Sequence, residues 1–337
     1  MSADSHPLLA ILDCPACRKD QGLIPQILEG RSYVACPLCR FWYPVRDEVV
    51  VLLAPNRNPD GLRRPLGEAV PLPIERRPVR FVDFKALTYS FYIRMQDFGT
   101  AFGVDKEPIV VDVGCSTGSL AAWLHPEQTY IGLDLFFEAL RFARRASGQF
   151  FVQADAEKLP VKTASVSFFA SREVLEHLTD PPAAVRELCR IGRRGVIVVP
   201  TLDFPFLYDP INWLLVRRGR RAKFGIYGYG HQRLHDIVGW RQLLEDGGLT
   251  VKSERPIGTG LFLNAFDVVW HSLFSWRDFD SLPRWGAPIQ LARWTFSLRR
   301  ALHRVDDRLY AGATLSQAFE VVPAVRTTDV PTWTTAS

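Results

Sequence analysis

Ile109-Val-Val-Asp112-Val-Gly114-Cys-Ser116-Thr-Gly118 is the stretch that decides how this chain folds. Five residues suited to a buried strand run into a turn with glycine at both ends, and a helical pattern follows. That order is the entry to an open α/β sheet, in which ligands sit outside the carboxyl ends of the strands. Glycine there lets backbone approach a ligand closely or adopt a left-handed conformation. Taken alone the pattern also fits a dinucleotide site, and its middle position is Ser116 rather than glycine.

The same alternation continues downstream. TYIGLD (129–134), FFVQAD (ending at 155), VSFFAS (166–171) and GVIVVPT (195–201) read as strands, with helical patterns near 118–125, 137–146 and 181–191. After a long connection, HDIVGWRQLLEDGG and LTVKSE supply a helix and a strand, and QAFEVVPAV (317–325) supplies the last strand. Near-continuous apolar runs are what a sheet covered on both faces requires. The expected fold class is therefore α/β: a doubly wound, mostly parallel, seven-stranded, Rossmann-like sheet. Asp134 closes the second strand, where a carboxylate can accept both ribose hydroxyls. Asp155-Ala156 closes the third, where a side-chain acceptor and a backbone N–H can read an adenine edge. Each acid alone could be a helix cap or a turn residue. Three acidic strand ends in register favour a cofactor that carries a nucleoside.

VDVGCSTG, IGLDL, ADAEKLPV, ASREVLEHLTDP, ELCRIGRRGVIVVPT and GHQRLHDIVGWRQLLEDGGLTV together resemble the class I methyltransferases, and among them the group called type 11. The resemblance covers about residues 80–325. It implies that S-adenosylmethionine is the cofactor, with Asp112, Gly114, Ser116 and Gly118 under its methionine part. It further implies Asp134 and Leu135 at the ribose, Asp155 and Ala156 at the adenine, and Ser171 and Arg172 beside the methyl group. Ser116 departs from the usual glycine, which is tolerable unless that residue needs a positive φ.

The N-terminal fifty residues carry a second signal. Cys14-Pro-Ala-Cys17 and Cys36-Pro-Leu-Cys39 have the C-x2-C-x18-C-x2-C spacing of a closed four-thiolate zinc site, expected to be structural. The metal would substitute for the core that so short a unit cannot build. Four free cysteines that chance to be so spaced are the alternative. LLAILDCPACRKD and YVACPLCRFWYPVRDEVVVLL resemble the zinc-ribbon family that activates tRNA and protein methyltransferases, through the paired cysteines and Tyr43-Pro44-Val45. The organisation expected is a zinc ribbon at 8–54, a proline-rich linker at 55–80, a methyltransferase domain at 81–325 and an unfolded tail at 326–337.

The remaining features concern the acceptor. Glu176-His177 follows the fourth strand, and His231 and His235 lie on the long connection 200–235. His231 and His177 are the candidate general bases, with His231 preferred because His177 reads more readily as a structural hydrogen bonder. Arg217, Arg218, Arg220, Arg221 and Lys223 form a basic stretch on the same connection, suited to an anion or simply to water. A helical insertion at 259–313 places Leu291, Trp294, Leu298, Leu302, Val305 and Leu309 on one stripe. It could cover the substrate, pack on a second subunit as a homodimer, or touch a membrane peripherally.

A hydrophobic share of 47%, a net charge of +5 and no run of about 18 apolar residues exclude a membrane-spanning helix. No secretory signal is read at the N-terminus, so the expectation is a cytoplasmic protein. The acceptor expected is a small-molecule, sugar or lipid-linked substrate. Methylation of tRNA, rRNA or protein is the alternative, as is a non-catalytic binding scaffold. Against nucleic acid, no basic stripe is interleaved with stacking aromatics.

Overall fold

A computed structural model of the chain describes residues 7–19, 22–54, 102–124, 127–204, 210–221, 233–257 and 316–324, together with a few helical positions between 298 and 308. The expected linker at 55–80 and tail at 326–337 lie outside the described residues, as do His231 and most of the 259–313 insertion. Of the insertion's stripe, Leu298, Leu302 and Val305 are described: Leu298 and Val305 are exposed and Leu302 is half-buried.

The chain opens with the short helix α1 (Pro7–Ile11) and four strands: β1 (Ile24–Leu28), β2 (Arg31–Ala35), β3 (Trp42–Arg46) and β4 (Val49–Val51). β5 (Ile109–Val113), β6 (Thr129–Asp134), helix α2 (Phe137–Ser147) and β7 (Phe150–Gln153) follow. Then come β8 (Val166–Arg172), α3 (Pro181–Ile191), β9 (Gly192–Pro200), α4 (Pro210–Arg217), α5 (Ile237–Asp246), β10 (Leu249–Ile257) and β11 (Ser316–Pro323). The helix expected after the glycine turn is a 3-10 helix, Ser119–Trp123, entered from a left-handed Gly118.

The helices show their causes locally. Asp180 caps α3, its carboxylate accepting from the N–H of Ala183 at 3.1 Å, and Pro181 occupies the first helical turn, where no N–H is missed. Ala184, Val185, Leu188 and Ile191 then form the buried face. Asp236 caps α5 in the same way through Gly239 at 2.7 Å, and Trp240 on that helix donates its ring N–H to the carbonyl of Pro200 at 2.7 Å.

The strands form one eleven-stranded sheet in the order β1-β2-β3-β4-β7-β6-β5-β8-β9-β11-β10. Pairs from β4 through β9 are parallel, while β11 runs antiparallel to both β9 and β10. The expectation of seven strands beside a separate ribbon is thus corrected. Strands β5 to β11 are contiguous in this order, but the N-terminal strands extend the same sheet. β4 pairs with β7 through Val50↔Val152 and Val51↔Gln153, and the N–H of Leu52 adds a bond to the carbonyl of Gln153 at 2.8 Å. Without β4, β7 would be a bare edge with unpaired N–H and C=O groups.

Further contacts weld the two parts together. Asp13 N–H donates to the carbonyl of Pro160, and Lys162 N–H to that of Ile11. Leu8, Ile11, Leu12 and Tyr43 share one buried core with Val152, Leu159, Val161 and Leu188. On the opposite face, Phe102, Leu140, Ala143 and Phe151 pack with Val110, Tyr130 and Phe168. Both faces of the parallel strands are covered, which is why they read as unbroken apolar runs.

Candidate functional site

Three neighbouring strands deliver the acidic strand ends. Asp112, in β5, is fully buried, and its Oδ2 accepts the hydroxyl of Tyr130 at 2.7 Å and lies 3.9 Å from an Arg172 nitrogen. Its other oxygen, Oδ1, has no hydrogen-bond partner among the described residues. Burial pushes the Asp112 carboxyl above the ordinary carboxylate range, opposed by the Arg172 charge and the Tyr130 hydroxyl. Ser171, one strand away at the end of β8, is likewise buried with its hydroxyl unpartnered among the described residues. Buried polar atoms left over at a strand end suit the polar groups of a ligand.

The glycine turn is packed tightly beside them. Gly114 has φ 77, and a Cβ placed there would meet Val174 Cγ2 at 2.1 Å; Gly118 has φ 67, and its Cβ would meet Phe151 at 2.8 Å. Ser116 does need the conformation its identity resists: its φ is 50. Left-handed backbone costs a non-glycine residue on the order of 1 kcal/mol. The turn recovers that through Asp134, whose Oδ2 accepts the Ser116 N–H at 2.7 Å while Oδ1 accepts that of Phe136 at 2.8 Å. Burial raises the Asp134 carboxyl, against the pull of those N–H groups. Each oxygen keeps a second lone pair, so Asp134 can hold the loop and still accept ligand hydroxyls.

Leu135 follows, exposed, with its carbonyl accepting from the Gln153 side chain at 2.9 Å. Asp155 is buried beyond β7, its Oδ1 accepting from the N–H of Glu157 at 3.0 Å, and Ala156 packs on the core. The structure thus brings Asp112, Gly114, Ser116, Gly118, Asp134, Leu135, Asp155, Ala156, Ser171 and Arg172 to the carboxyl ends of β5, β6, β7 and β8.

His177 lies on a 3-10 helix, Leu175–His177, with its Nε2 3.7 Å from the buried carboxylate of Glu176. His235 sits edge-on to Trp240, ring centroids 4.8 Å apart, and burial lowers its pKa; that contact gives it a packing role. Burial raises the Cys115 thiol well above its ordinary value, helped by the charges of Asp134 and Asp112, so it is no thiolate nucleophile. Sequence reasoning missed Tyr130, Gln153 and Val174. Tyr130 was findable only with the register: Asp112 pairs with Gly132, which puts Tyr130 diagonally beside it on the same face.

The four N-terminal cysteines converge. Their sulfurs all lie within 4.8 Å of one another, with Cys14–Cys39 at 3.5 Å and Cys17–Cys36 at 3.6 Å. A tetrahedral metal with sulfur about 2.3 Å away needs sulfur–sulfur edges of about 3.8 Å, whereas a disulfide needs about 2.05 Å. Arg18 and Arg40, each following the second cysteine of a pair, share positive φ values of 49 and 58, and their N–H groups bond the carbonyls of Cys14 and Cys36. The two pairs are therefore matching knuckles. Burial of Cys36 is outweighed by N–H groups of Cys39 and Leu38, which favour its thiolate, and the Tyr43 hydroxyl lies 3.1 Å from Cys14 Sγ.

Together these features make an open α/β sheet with a candidate cofactor site at its carboxyl edge. Residues 111–199, from β5 to β9, match the family described as a methyltransferase domain. A malonyl-[acyl-carrier protein] O-methyltransferase of Hamiltonella defensa is 29% identical over 96 residues, which are 28% of this chain and 37% of that protein. The enzyme of the same name from Pectobacterium atrosepticum is 31% identical over 91 residues, 26% of this chain and 36% of that one. The chain thus spans little more than a third of the length of these relatives. Among solved structures, a chain of the complex between the Haloferax volcanii Trm112 methyltransferase activator and the putative methyltransferase is 16% identical, with a TM-score of 0.43, over 70% of this chain and 91% of that one. Geranyl diphosphate methyltransferase in complex with SAM is 14% identical, with a TM-score of 0.41, over 68% and 84%.

Proposed function

We propose that this chain transfers a methyl group from S-adenosylmethionine to a small-molecule, sugar or lipid-linked acceptor. The observation that carries the reading is the set of strand ends around the glycine turn, with the buried Asp112 Oδ1 unpartnered among the described residues. In that arrangement Asp112 and the turn face the methionine part, Asp134 accepts the ribose hydroxyls, and Asp155 with Ala156 reads the adenine. Ser171 and Arg172 border the methyl group. The cofactor, when bound, supplies a methyl group on a sulfonium. The protein's own task is alignment of the acceptor atom, which can account for much of the rate without a dedicated base. His177 or His231 would take the acceptor proton where one must leave.

The four cysteines are proposed to hold one structural zinc, since all four positions are thiol and the knuckle geometry fits a closed site. The N-terminal unit is proposed to act as a built-in zinc ribbon that completes the sheet beside the adenine end of β7, in line with its resemblance to the activator family. The malonyl-[acyl-carrier protein] relatives support a carboxylate on a carried acyl chain as one acceptor of the proposed class. The test is transfer of methyl-labelled S-adenosylmethionine into a cell extract, fractionated into small molecules, lipids, RNA and protein. Label in the small-molecule or lipid fraction is expected. Label confined to RNA or protein overturns the acceptor reading.

A further inference from the structure

Helix α4 presents a face that the described part of the fold does not cover. Ile211 and Leu214, about one turn apart, are 59% and 43% exposed, while Asn212 between them is fully buried. One side of the helix is therefore covered, and two aliphatic side chains are turned outward. Gly219, at φ 66, closes its end, with the N–H groups of Arg218 and Arg220 bonded to the carbonyls of Leu214 and Leu215. Arg217, Arg218, Arg220 and Arg221 are all exposed at that end. Arg217 lies over the Trp213 ring at 4.4 Å, and among the described residues none of the four pairs with a carboxylate. α4 follows β9, which runs parallel to β8, so it springs from the carboxyl edge of the sheet that also carries Asp112 and Gly114.

We propose that α4 and its arginine cluster dock the protein on an anionic phospholipid surface. Aliphatic side chains beside a run of cations are what an interfacial helix offers: the aliphatic groups enter the acyl boundary and the guanidinium groups engage lipid phosphates. The charge complementarity is one-sided. Four like charges in five residues, with no intervening acid, suit a fluid anionic surface on which each guanidinium can find its own phosphate. A cation near an anionic membrane strengthens binding about fivefold, so four together give several-hundred-fold. Docking there holds the carboxyl edge of the sheet near the lipid headgroups. This narrows the acceptor to one presented at a membrane, a consequence that rests on the methyl-transfer reading; the docking itself does not.

The test is flotation of the full chain with two kinds of vesicle, phosphatidylcholine alone and phosphatidylcholine containing phosphatidylglycerol. Binding to the anionic vesicles, weakened by added salt, is expected. A triple variant, Arg218→Gln, Arg220→Gln and Arg221→Gln, should lose about a hundredfold in partition. A second, Ile211→Ser with Leu214→Ser, should lose about tenfold. Both should keep the thermal midpoint and the S-adenosylhomocysteine affinity of wild type. Equal partition to both vesicles, no partition, or partition unaffected by the arginine changes overturns docking, as does binding to polyglutamate without binding to vesicles. Vesicle binding without S-adenosylhomocysteine binding sinks the methyl-transfer reading and leaves the docking intact.

Discussion

Replacing Glu187 by alanine asks whether the N-terminal ribbon and the α/β domain fold as one unit. The Glu187 carboxylate lies in α3 with its side chain 10% exposed and accepts from both sides. Arg18, next to Cys17 in the first knuckle, donates through Nη1 at 2.9 Å and Nη2 at 3.0 Å. Arg190 donates through Nε at 3.1 Å and Nη2 at 2.8 Å, and the N–H of Leu159 at 2.8 Å. Removing one partner of a buried ionic cluster costs 3–5 kcal/mol; Arg18 is a third exposed, so the low end, about 3 kcal/mol, applies. At about 2–4 °C per kcal/mol for a large domain, the thermal midpoint should fall by about 6–12 °C.

The sign with pH follows from the same contacts. Burial would raise the Glu187 carboxyl, but the hydrogen bonds and charges of Arg190 and Arg18 outweigh it, so its folded pKa lies below the unfolded value. Its contribution is present above the ordinary carboxylate range and is lost as pH falls through the folded pKa. The gap between wild type and Glu187→Ala, read by circular dichroism melts, should therefore be widest at neutral pH and close in acid. A midpoint within about 2 °C of wild type at neutral pH, against the 6–12 °C expected, or a gap that does not shrink in acid, refutes the reasoning.

Three further outcomes are expected. Metal analysis should find one zinc per chain, and a Cys36→Ser, Cys39→Ser variant should lose it together with the cooperative melt of the sheet; unchanged metal content removes these residues from the site. Gly114→Ala forces a Cβ to within 2.1 Å of Val174 at a φ of 77 and should weaken S-adenosylhomocysteine binding more than about tenfold. Adding Val174→Ala should restore part of that loss, and wild-type affinity in the single variant contradicts the packing. For Asp112, whose folded pKa is raised, the stability contribution is present below the unfolded pKa and is lost as pH rises through the folded one. Asp112→Asn should thus gain on wild type in melts from acid toward neutral pH, and the opposite trend counts against the burial argument.

Much of the fold is legible in the sequence because its signals are local. Strands β5 and β6 and helix α3 fall at the positions that apolar runs, terminal acids and the Asp180-Pro181 cap imply. The joined sheet is not local. Nothing in Val49-Val50-Val51 says that its edge pairs with β7 one hundred residues on, since a short apolar run closing a hairpin reads the same whether or not it is paired outward. Ser116 shows a different limit. Its left-handed conformation is against its own preference and is set by the Asp134 carboxylate eighteen residues away. Tyr130 likewise reads as an ordinary strand aromatic until register puts it on Asp112.

Calorimetric titration of the full chain with S-adenosylhomocysteine, run beside Asp134→Ala, tests the central claim most directly. One site per chain with micromolar-order affinity is expected for wild type. In Asp134→Ala the ribose hydroxyls and the N–H groups of Ser116 and Phe136 all lose their acceptor, which should weaken binding by at least ten- to a hundredfold, about 1.5–3 kcal/mol. The account is contradicted if wild type takes up no S-adenosylhomocysteine, or if the variant binds it equally well.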